Sequence, residues 1–417
     1  MLQNSEVKFV AADMPNANEP RLTPTTDAMI FLRISSKARH EFMHESVSML
    51  TRKQTRSPRN HLLLLCAATL SATFSTDTQA GLHEGVEYDS LVSFYNSTNG
   101  ANWSDNSGWL SGDACGWFGI TCDQDTDPYD NTSHVTDVFL SADNLTGSIP
   151  SLLGLTHLQT FYVDTNQLTG PIPSLAGMNN LYSFWVDHNQ LTGTIPPLSG
   201  LKLGLFFVGN NQLTGSIPPL AATLSGFGAD TNQLTGEIPS LDGLIELRGF
   251  NVSSNQLTGP IPVLAGSPKL EFVGLSFNQL TGTIPPLGSL THLQSFYVEH
   301  NHLTGPIPSL DGLNFLQHFF ANSNQLTGSI PSLAGKNILQ YFYAGANKLS
   351  GAVPSAPASL QGASLCPNLL DVTPQPTIDP MWNSLMHYPP SPWWASPYST
   401  NQCDDLFTDG LGDPIVY

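Results

Sequence analysis

Apolar and polar residues alternate over short stretches that recur along most of the chain. A typical stretch places Leu158, Phe161, Val163 and Asn166 in the spacing Leu-x-x-Phe-x-Val-x-x-Asn. The alternation across Phe-x-Val has the two-residue period of a short β-strand with one buried face. The pattern therefore predicts a series of short strands, one in each recurring unit.

A second phrase follows each predicted strand and sets the length of the unit. Asn-x-Leu-Thr/Ser-Gly-x-Ile/Val-Pro occurs ten times between residues 143 and 354, with Asp143 in place of the first Asn. Its leucines are 21 to 23 residues apart: Leu145, Leu168, Leu191, Leu213, Leu234, Leu257, Leu280, Leu303, Leu326 and Leu349. One unit cannot bury its apolar face alone, whereas stacked units cover one another. We therefore expect a solenoid with the phenylalanines in its core and the recurring Asn turned inward onto turn backbone.

The spacing of these units resembles the leucine-rich repeat. The Leu-Thr-Gly-x-Ile-Pro half is similar to the plant-type subclass found in extracellular domains of receptor-like kinases, receptor-like proteins and polygalacturonase-inhibiting proteins. The resemblance covers residues 85 to 356, although the unit is one residue shorter than the usual plant-type unit. It implies an α/β-type solenoid, mostly β with short 3-10 or loop segments on the convex side. It also implies a right-handed, curved superhelix of about ten repeats with disulfide-stapled caps.

The amino end has the features of an export signal. Basic residues between 52 and 59 precede an apolar run at 62–68, which gives way to the small-residue end Thr78-Gln79-Ala80. This order is typical of a signal peptide, and the run is shorter than the roughly 20 apolar residues that span a bilayer. We expect a secreted protein, extracellular or at the cell surface, with no membrane span. We expect residues 1–48 to be a disordered leader, or a segment included because the translation start is assigned too far upstream. The other expected segments are 49–80 (signal peptide), 81–134 (amino-terminal cap), 135–356 (leucine-rich repeats) and 357–417 (carboxy-terminal cap).

The charge balance narrows the class of partner. The chain has 33 acidic and 14 basic residues, a net charge of −19, and nine of the basic residues precede residue 60. A nucleic-acid surface is improbable, because it needs a basic stripe that displaces counterions from phosphates. The anionic remainder favours basic partners and salt-dependent association.

Four cysteines follow the predicted signal peptide, in pairs on either side of the repeats. An even set in an exported chain predicts disulfides. Of the three possible connectivities, the long repeat block favours the local one, Cys115–Cys122 and Cys366–Cys403. Neither pair has the Cys-x-x-Cys spacing of a zinc or redox site.

Candidate binding residues follow from the strand positions that are expected to face solvent on the concave side. The fifth position holds two groups of aromatic residues, and the seventh places acids beside the first group. The predicted ligand-binding residues are Tyr162, Trp185, Phe207, Asp164, Asp187, Asp230, Tyr297, Phe320 and Tyr343. Exposed aromatic surface of this extent commonly marks a binding site. The alternative is that the rings pack on one another or on a cap.

Metal and catalytic motifs are weak in this sequence. Asp123, Asp125 and Asp127 alternate as hard-cation ligands do, but Pro128 and His134 depart from a calcium loop, which leaves an acidic surface loop as the alternative. No nucleophile elbow, phosphate loop or zinc signature is present. We therefore predict a non-catalytic recognition module without a cofactor, which binds a protein or peptide on its concave face. The alternatives are a polysaccharide-binding surface protein and an inhibitor of a secreted hydrolase.

Overall fold

Parallel strands lie side by side through the repeat region. A computed structural model describes residues 85–123 and 133–370 together with Trp382, and these described residues belong to one compact unit. Twelve of the described strands form one sheet in chain order. Its first pair is antiparallel and the later pairs are parallel. The predicted β-solenoid is confirmed, since each coil adds one strand beside the last.

The elements are short, as the repeat length requires. The main sheet consists of Ile120–Cys122, Val135–Phe139, Thr160–Tyr162, Ser183–Trp185, Leu205–Phe207, Gly226–Gly228, Gly249–Asn251, Phe272–Gly274, Ser295–Tyr297, His318–Phe320, Tyr341–Tyr343 and Gly362–Ser364. A second set of strands, called here the flank, consists of Thr146–Ser148, Gln167–Pro171, Gln190–Thr192, Thr214–Gly215, Gln233–Glu237, Gln256–Thr258, Thr304–Gly305, Gln325–Leu326, Ser350–Gly351 and Leu369–Leu370. The described helices are α1 (Val86–Ser97) and the 3-10 turns Gly100–Asn102 and Ala114–Gly116.

The core is a ladder of aromatic rings flanked by leucines. Eight phenylalanines from the middle of successive strands are at most 1% exposed, namely Phe161, Phe184, Phe206, Phe227, Phe250, Phe296, Phe319 and Phe342. Neighbouring rings stack at centroid distances of 5.4–5.9 Å, a favourable offset arrangement for aromatic pairs. Val273 takes the same register between two of the rings and is fully buried. The phenylalanine column is confirmed as core.

The recurring asparagines form a second ladder, which ties each coil to the one before it. Asn278 Oδ1 accepts a hydrogen bond from Leu257 N at 3.0 Å, and its Nδ2 donates to Val252 O and Leu275 O at 3.0 and 3.1 Å. The equivalent bonds recur at Asn166, Asn189, Asn211, Asn232, Asn255, Asn301, Asn324 and Asn347. The predicted inward orientation is confirmed.

The residue before each inward Asn adopts a left-handed backbone conformation. Thr231, Phe277 and His300 have φ of 52°, 55° and 54°. β-Branched and bulky residues rarely adopt this conformation. The stacked coils therefore impose this turn, and the repeat pattern contains no signal for it.

An amino-terminal cap covers the first coil. In α1, the Phe94 ring meets Phe161 edge-on at a centroid distance of 5.8 Å. Trp103, Trp109 and Trp117 pack together beside it, with successive centroids 4.8 Å apart. The predicted Cys115–Cys122 disulfide is present.

The coils continue beyond the last Leu-Ser-Gly phrase. An eleventh parallel strand, Gly362–Ser364, pairs with Tyr341–Tyr343, and Asn368 repeats the inward hydrogen bonds, accepting from Leu349 N at 2.8 Å. Trp382 is fully buried and donates its Nε1 hydrogen to Pro354 O. Cys366 is disulfide-bonded, while its predicted partner Cys403 lies outside the described residues.

Candidate functional site

Four aromatic side chains form a continuous row on the outer face of the main sheet. This first aromatic row consists of Phe139, Tyr162, Trp185 and Phe207, each from a neighbouring strand. Successive ring centroids are 5.4, 5.0 and 4.8 Å apart. The rings therefore pack on one another, as the alternative interpretation expected, yet Phe139, Trp185 and Phe207 remain half-buried and so retain accessible surface.

Tyr162 is more deeply placed than its sequence position suggested. It is 9% exposed, and its hydroxyl shares a 2.8 Å hydrogen bond with Ser183 Oγ. Burial raises the pKa of the Tyr162 hydroxyl to about 12. The expectation of an open side chain is wrong here, because rings on both sides cover Tyr162.

Three carboxylates follow the strands next to the first aromatic row. Asp164 and Asp187 are 7% and 6% exposed, so the expectation that they face solvent openly is wrong as well. Ser141 Oγ donates a hydrogen bond to Asp164, and Asp187 Oδ2 lies 2.8 Å from His188 Nδ1. Asp230 is half-buried and accepts from Asn210 Nδ2 at 3.4 Å.

The surroundings of these carboxylates shift two pKa values toward the physiological range. Burial, reinforced by the negative charge of Asp187, raises the pKa of Asp230 to about 6. The hydrogen bond to Asp187 raises the pKa of His188, although partial burial opposes the shift. The charge beside the first aromatic row therefore becomes more negative as the pH rises from about 5 to 7.

The centre of the sheet face is occupied, although its sequence positions are small residues. A Cβ atom on Gly228 would lie 2.6 Å from Phe207 Cδ1, and one on Gly226 would lie 3.1 Å from Phe207 Cζ. The Phe207 ring therefore lies over this glycine strand. These glycines are needed for that approach, since a larger residue would displace the ring.

A second, broader aromatic group lies toward the carboxy-terminal coils. Tyr297, Phe320 and Tyr343 have successive centroid distances of 4.9 and 4.6 Å. Sequence reasoning missed the third-position residues that widen the group, Phe272, His318 and Tyr341, which contact these rings. Their place on the same strands was the available signal.

The flank presents a regular array of uncharged polar side chains that sequence reasoning also missed. Its strands alternate exposed and buried residues, as in Gln190, Leu191 and Thr192. The exposed threonines are Thr169, Thr192, Thr214, Thr235, Thr258, Thr281, Thr304 and Thr327, and the exposed glutamines are Gln167, Gln190, Gln212, Gln233, Gln256, Gln279 and Gln325. The repeated Gln-Leu-Thr phrase was the available signal.

The calcium candidate is described only at its first residue. Asp123 Oδ1 accepts a hydrogen bond from His134 N at 2.6 Å. Asp125 and Asp127 lie outside the described residues. The Asp123 carboxylate therefore binds a backbone N–H group in this structure, and the calcium loop stays a prediction.

Comparison with known proteins agrees with this architecture. The Arabidopsis receptor kinase HAESA, solved with the peptide hormone IDA and the co-receptor SERK1, has a TM-score of 0.57 and 27% identity, covering 69% of this chain and 50% of that chain. A plant ice-binding protein has a TM-score of 0.53 and 25% identity, covering 70% of this chain and 99% of that chain. The protein carries a leucine-rich repeat solenoid. No protein-family model matches the chain.

The leucine-rich repeat chain spans about half the length of the HAESA chain and almost the whole length of the ice-binding protein. The predicted resemblance to plant-type leucine-rich repeat ectodomains is confirmed, as is the fold class. None of the described helices is both long and apolar enough to cross a bilayer.

Proposed function

We propose that this leucine-rich repeat protein is a secreted, non-catalytic recognition module that binds a basic protein or peptide segment along the first aromatic row. The observation that carries the proposal is the continuous row of rings beside a half-buried carboxylate on the open face of the sheet. The similar HAESA structure holds a peptide hormone, which supports the same class of ligand here.

The row has the dimensions of a peptide-binding strip. Its rings occupy four neighbouring strands, and strands lie about 4.8 Å apart, so the row extends about 14 Å. Trp185 and Phe207 are two of its three accessible rings, and aromatic anchors carry much of the binding energy in many interfaces. An extended segment of about four residues matches that length.

The charges favour a cationic ligand. Asp230 lies at the edge of the row, and its pKa of about 6 leaves it ionised at neutral pH. Arg248 and Lys269 pair with Glu271 and Glu246. These basic side chains are therefore engaged with other acids, and a Lys or Arg of the ligand would complement Asp230.

Selection from a displayed peptide library tests the proposal. We expect the full chain to enrich peptides that combine a basic with an apolar or aromatic residue. The double change Trp185→Ala and Phe207→Ala is expected to weaken binding of an enriched peptide by at least about 30-fold, the effect of losing one interface hot spot. Fluorescence anisotropy would measure the affinity.

One control tests whether the loss of affinity is specific to the first aromatic row, and a second tests the contribution of charge. Phe315→Ala removes a ring that is 54% exposed and lies outside the row, and should leave the affinity unchanged. Affinity for the basic peptide should rise between pH 5 and pH 7.5 as Asp230 loses its proton, and Asp230→Asn should reduce that rise. Peptides that bind the folded double variant as tightly as the native chain would contradict the proposal.

A second candidate function, ice binding, is favoured by the flank. The strand register places a Thr of one coil beside the Gln of the next, as in Thr169 with Gln190 and Thr235 with Gln256. Paired strands lie about 4.8 Å apart, and alternate residues of a strand about 6.6 Å apart. Adjacent coils place Thr194 beside Thr214 and Thr283 beside Thr304. Such a regular array of hydroxyl and amide groups suits an ordered layer of water, and the similar plant protein is named for binding ice.

An ice recrystallisation assay tests this second candidate. The native chain is expected to keep ice grains small, and Thr235→Tyr with Thr258→Tyr should abolish the effect by interrupting the array. The matched control is Ser199→Tyr with Ser289→Tyr, since both serines are exposed outside the flank. Equal grain growth with and without the native chain would exclude ice binding, and would leave the aromatic-row proposal unaffected.

A further inference from the structure

Three side chains from distant parts of the sequence converge where the amino-terminal cap meets the first coil. Glu87 lies in the first turn of α1, His134 directly precedes the strand Val135–Phe139, and His157 directly precedes Leu158 in the next coil. Their potential ligand atoms lie within 4.8 Å of one another. This is the one such group of three or more ligand-type side chains among residues 85–123 and 133–370 and Trp382.

The distances fit a small divalent metal ion. Glu87 Oε1 lies 3.5 Å from His134 Nδ1 and 3.4 Å from His157 Nδ1. In a tetrahedral zinc site with bonds of 2.0–2.1 Å, neighbouring ligand atoms are about 3.3–3.4 Å apart. Both Glu87–histidine distances are therefore close to the ligand spacing of such a zinc site.

The carboxylate is oriented as metal-binding carboxylates commonly are. Glu87 is 8% exposed, and its second oxygen, Oε2, accepts a hydrogen bond from Val135 N at 2.9 Å. That bond directs Oε1 toward the two imidazoles, and such supporting contacts typically fix the orientation of a ligand. A buried carboxylate also needs a compensating positive charge, which a metal ion would supply.

The imidazole rings lie beside one another and need one rotation before both can bind the same ion. The rings of His134 and His157 are stacked, with centroids 3.7 Å apart and planes inclined by 24°, so one ring must turn about its Cβ–Cγ bond for both nitrogens to face the ion. Neutral imidazole nitrogens are common zinc ligands. Their side chains are 32% and 43% exposed, so an ion can enter from solvent and keep a water ligand.

We propose that Glu87, His134 and His157 bind one zinc ion, with water completing the coordination. Two imidazoles and one carboxylate with an open position form a common zinc ligand set. Because the three ligands come from α1, from the residue before the strand Val135–Phe139 and from the next coil, the ion would cross-link the cap to the solenoid. Zinc then stabilises the folded cap, by an amount that grows with the logarithm of the ratio of zinc concentration to Kd.

The repeat supplies a matched control for this site. Thr156-His157-Leu158-Gln159 recurs as Thr291-His292-Leu293-Gln294, and each histidine ring contacts the threonine before it. His292 belongs to no ligand group within the described part of the chain. His157→Ala and His292→Ala therefore remove the same side chain from the same repeat position, with and without the proposed partners.

Calorimetric titration of the full chain with zinc chloride tests the site, using metal-free protein that has no polyhistidine tag. We expect one ion per chain, at least about tenfold weaker binding in His157→Ala and in Glu87→Gln, and unchanged binding in His292→Ala. Cobalt should give visible absorption bands in the native chain that His157→Ala removes. Zinc should also raise the melting temperature of the native chain.

Folding and binding are kept separate by a second variant. His157→Gln retains a polar side chain, and its melting temperature in EDTA shows whether the cap is still folded. A folded His157→Gln chain that has lost zinc binding supports the site. Absence of zinc uptake by the native chain, or uptake that survives both His157→Ala and Glu87→Gln, would overturn the proposal.

Discussion

Asn278→Ala is expected to lower the free energy of unfolding by about 3–5 kcal/mol. The Asn278 side chain accepts from Leu257 N and donates to Val252 O and Leu275 O. Alanine would leave these backbone groups buried without a side-chain partner, and each such group costs about 1–3 kcal/mol. Denaturant unfolding monitored by circular dichroism would measure the difference.

The control for Asn278→Ala is the same change at an exposed position. Asn314→Ala lies on an outer turn and is expected to change stability by less than about 0.5 kcal/mol. If Asn278→Ala proved as mild as Asn314→Ala, the asparagine ladder would not hold the coils together as described.

Phe184→Ala is expected to destabilise the solenoid by about 3–5 kcal/mol, the range observed when a buried phenylalanine is truncated. The Phe184 ring is fully buried between Phe161 and Phe206, at 5.5 Å from each. Its removal opens a cavity and interrupts the ring ladder. Since each coil contacts mainly its two neighbours, no other coil can replace the lost contacts. Differential scanning calorimetry would show the lower melting temperature.

Two further changes calibrate the Phe184 prediction. Phe184→Leu keeps most of the apolar volume and should cost clearly less than alanine. Phe315→Ala removes a ring that is 54% exposed and should leave the melting temperature nearly unchanged. Equal effects of Phe184→Ala and Phe315→Ala would contradict the assignment of the ring ladder as the core.

The sequence predicted the ladders because each depends on one residue type at one repeat position. Phe161 and Asn166 recur with their coils, so periodicity alone indicates which side chains face inward. The eleventh coil was harder to predict, since Ala363 replaces the phenylalanine and the following phrase is lost. Leu360, Leu365, Asn368 and Leu370 retain the pattern there.

The two aromatic groups were predicted in position on the sheet but not in exposure. Strand alternation indicated that Tyr162 and Asp187 face solvent, yet both are buried. The rings of Phe139 and Trp185 pack against Tyr162 from either side. Lateral packing depends on the sizes of residues in adjacent coils, such as the small Gly228 that lets the Phe207 ring approach its backbone closely. Alternation within one strand contains no information about that contact.

The Glu87, His134 and His157 cluster escaped prediction for a different reason. Its members come from the cap helix, the strand after the cap and the turn of the next coil, with no shared spacing in the sequence. His157 is distinguished from His292 only by what the cap places beside it. Sites of this kind form where two architectures meet, so no repeat pattern predicts them.

Hydrogen–deuterium exchange with an enriched basic peptide tests the central claim most directly, because it locates the ligand on the chain. We predict slower exchange on peptide binding in the strands Thr160–Tyr162, Ser183–Trp185 and Leu205–Phe207, and no change in the flank strands. The protection should disappear in the Trp185→Ala and Phe207→Ala chain. Protection confined to the flank, or to the turns that lie outside both the main sheet and the flank, would contradict recognition along the first aromatic row.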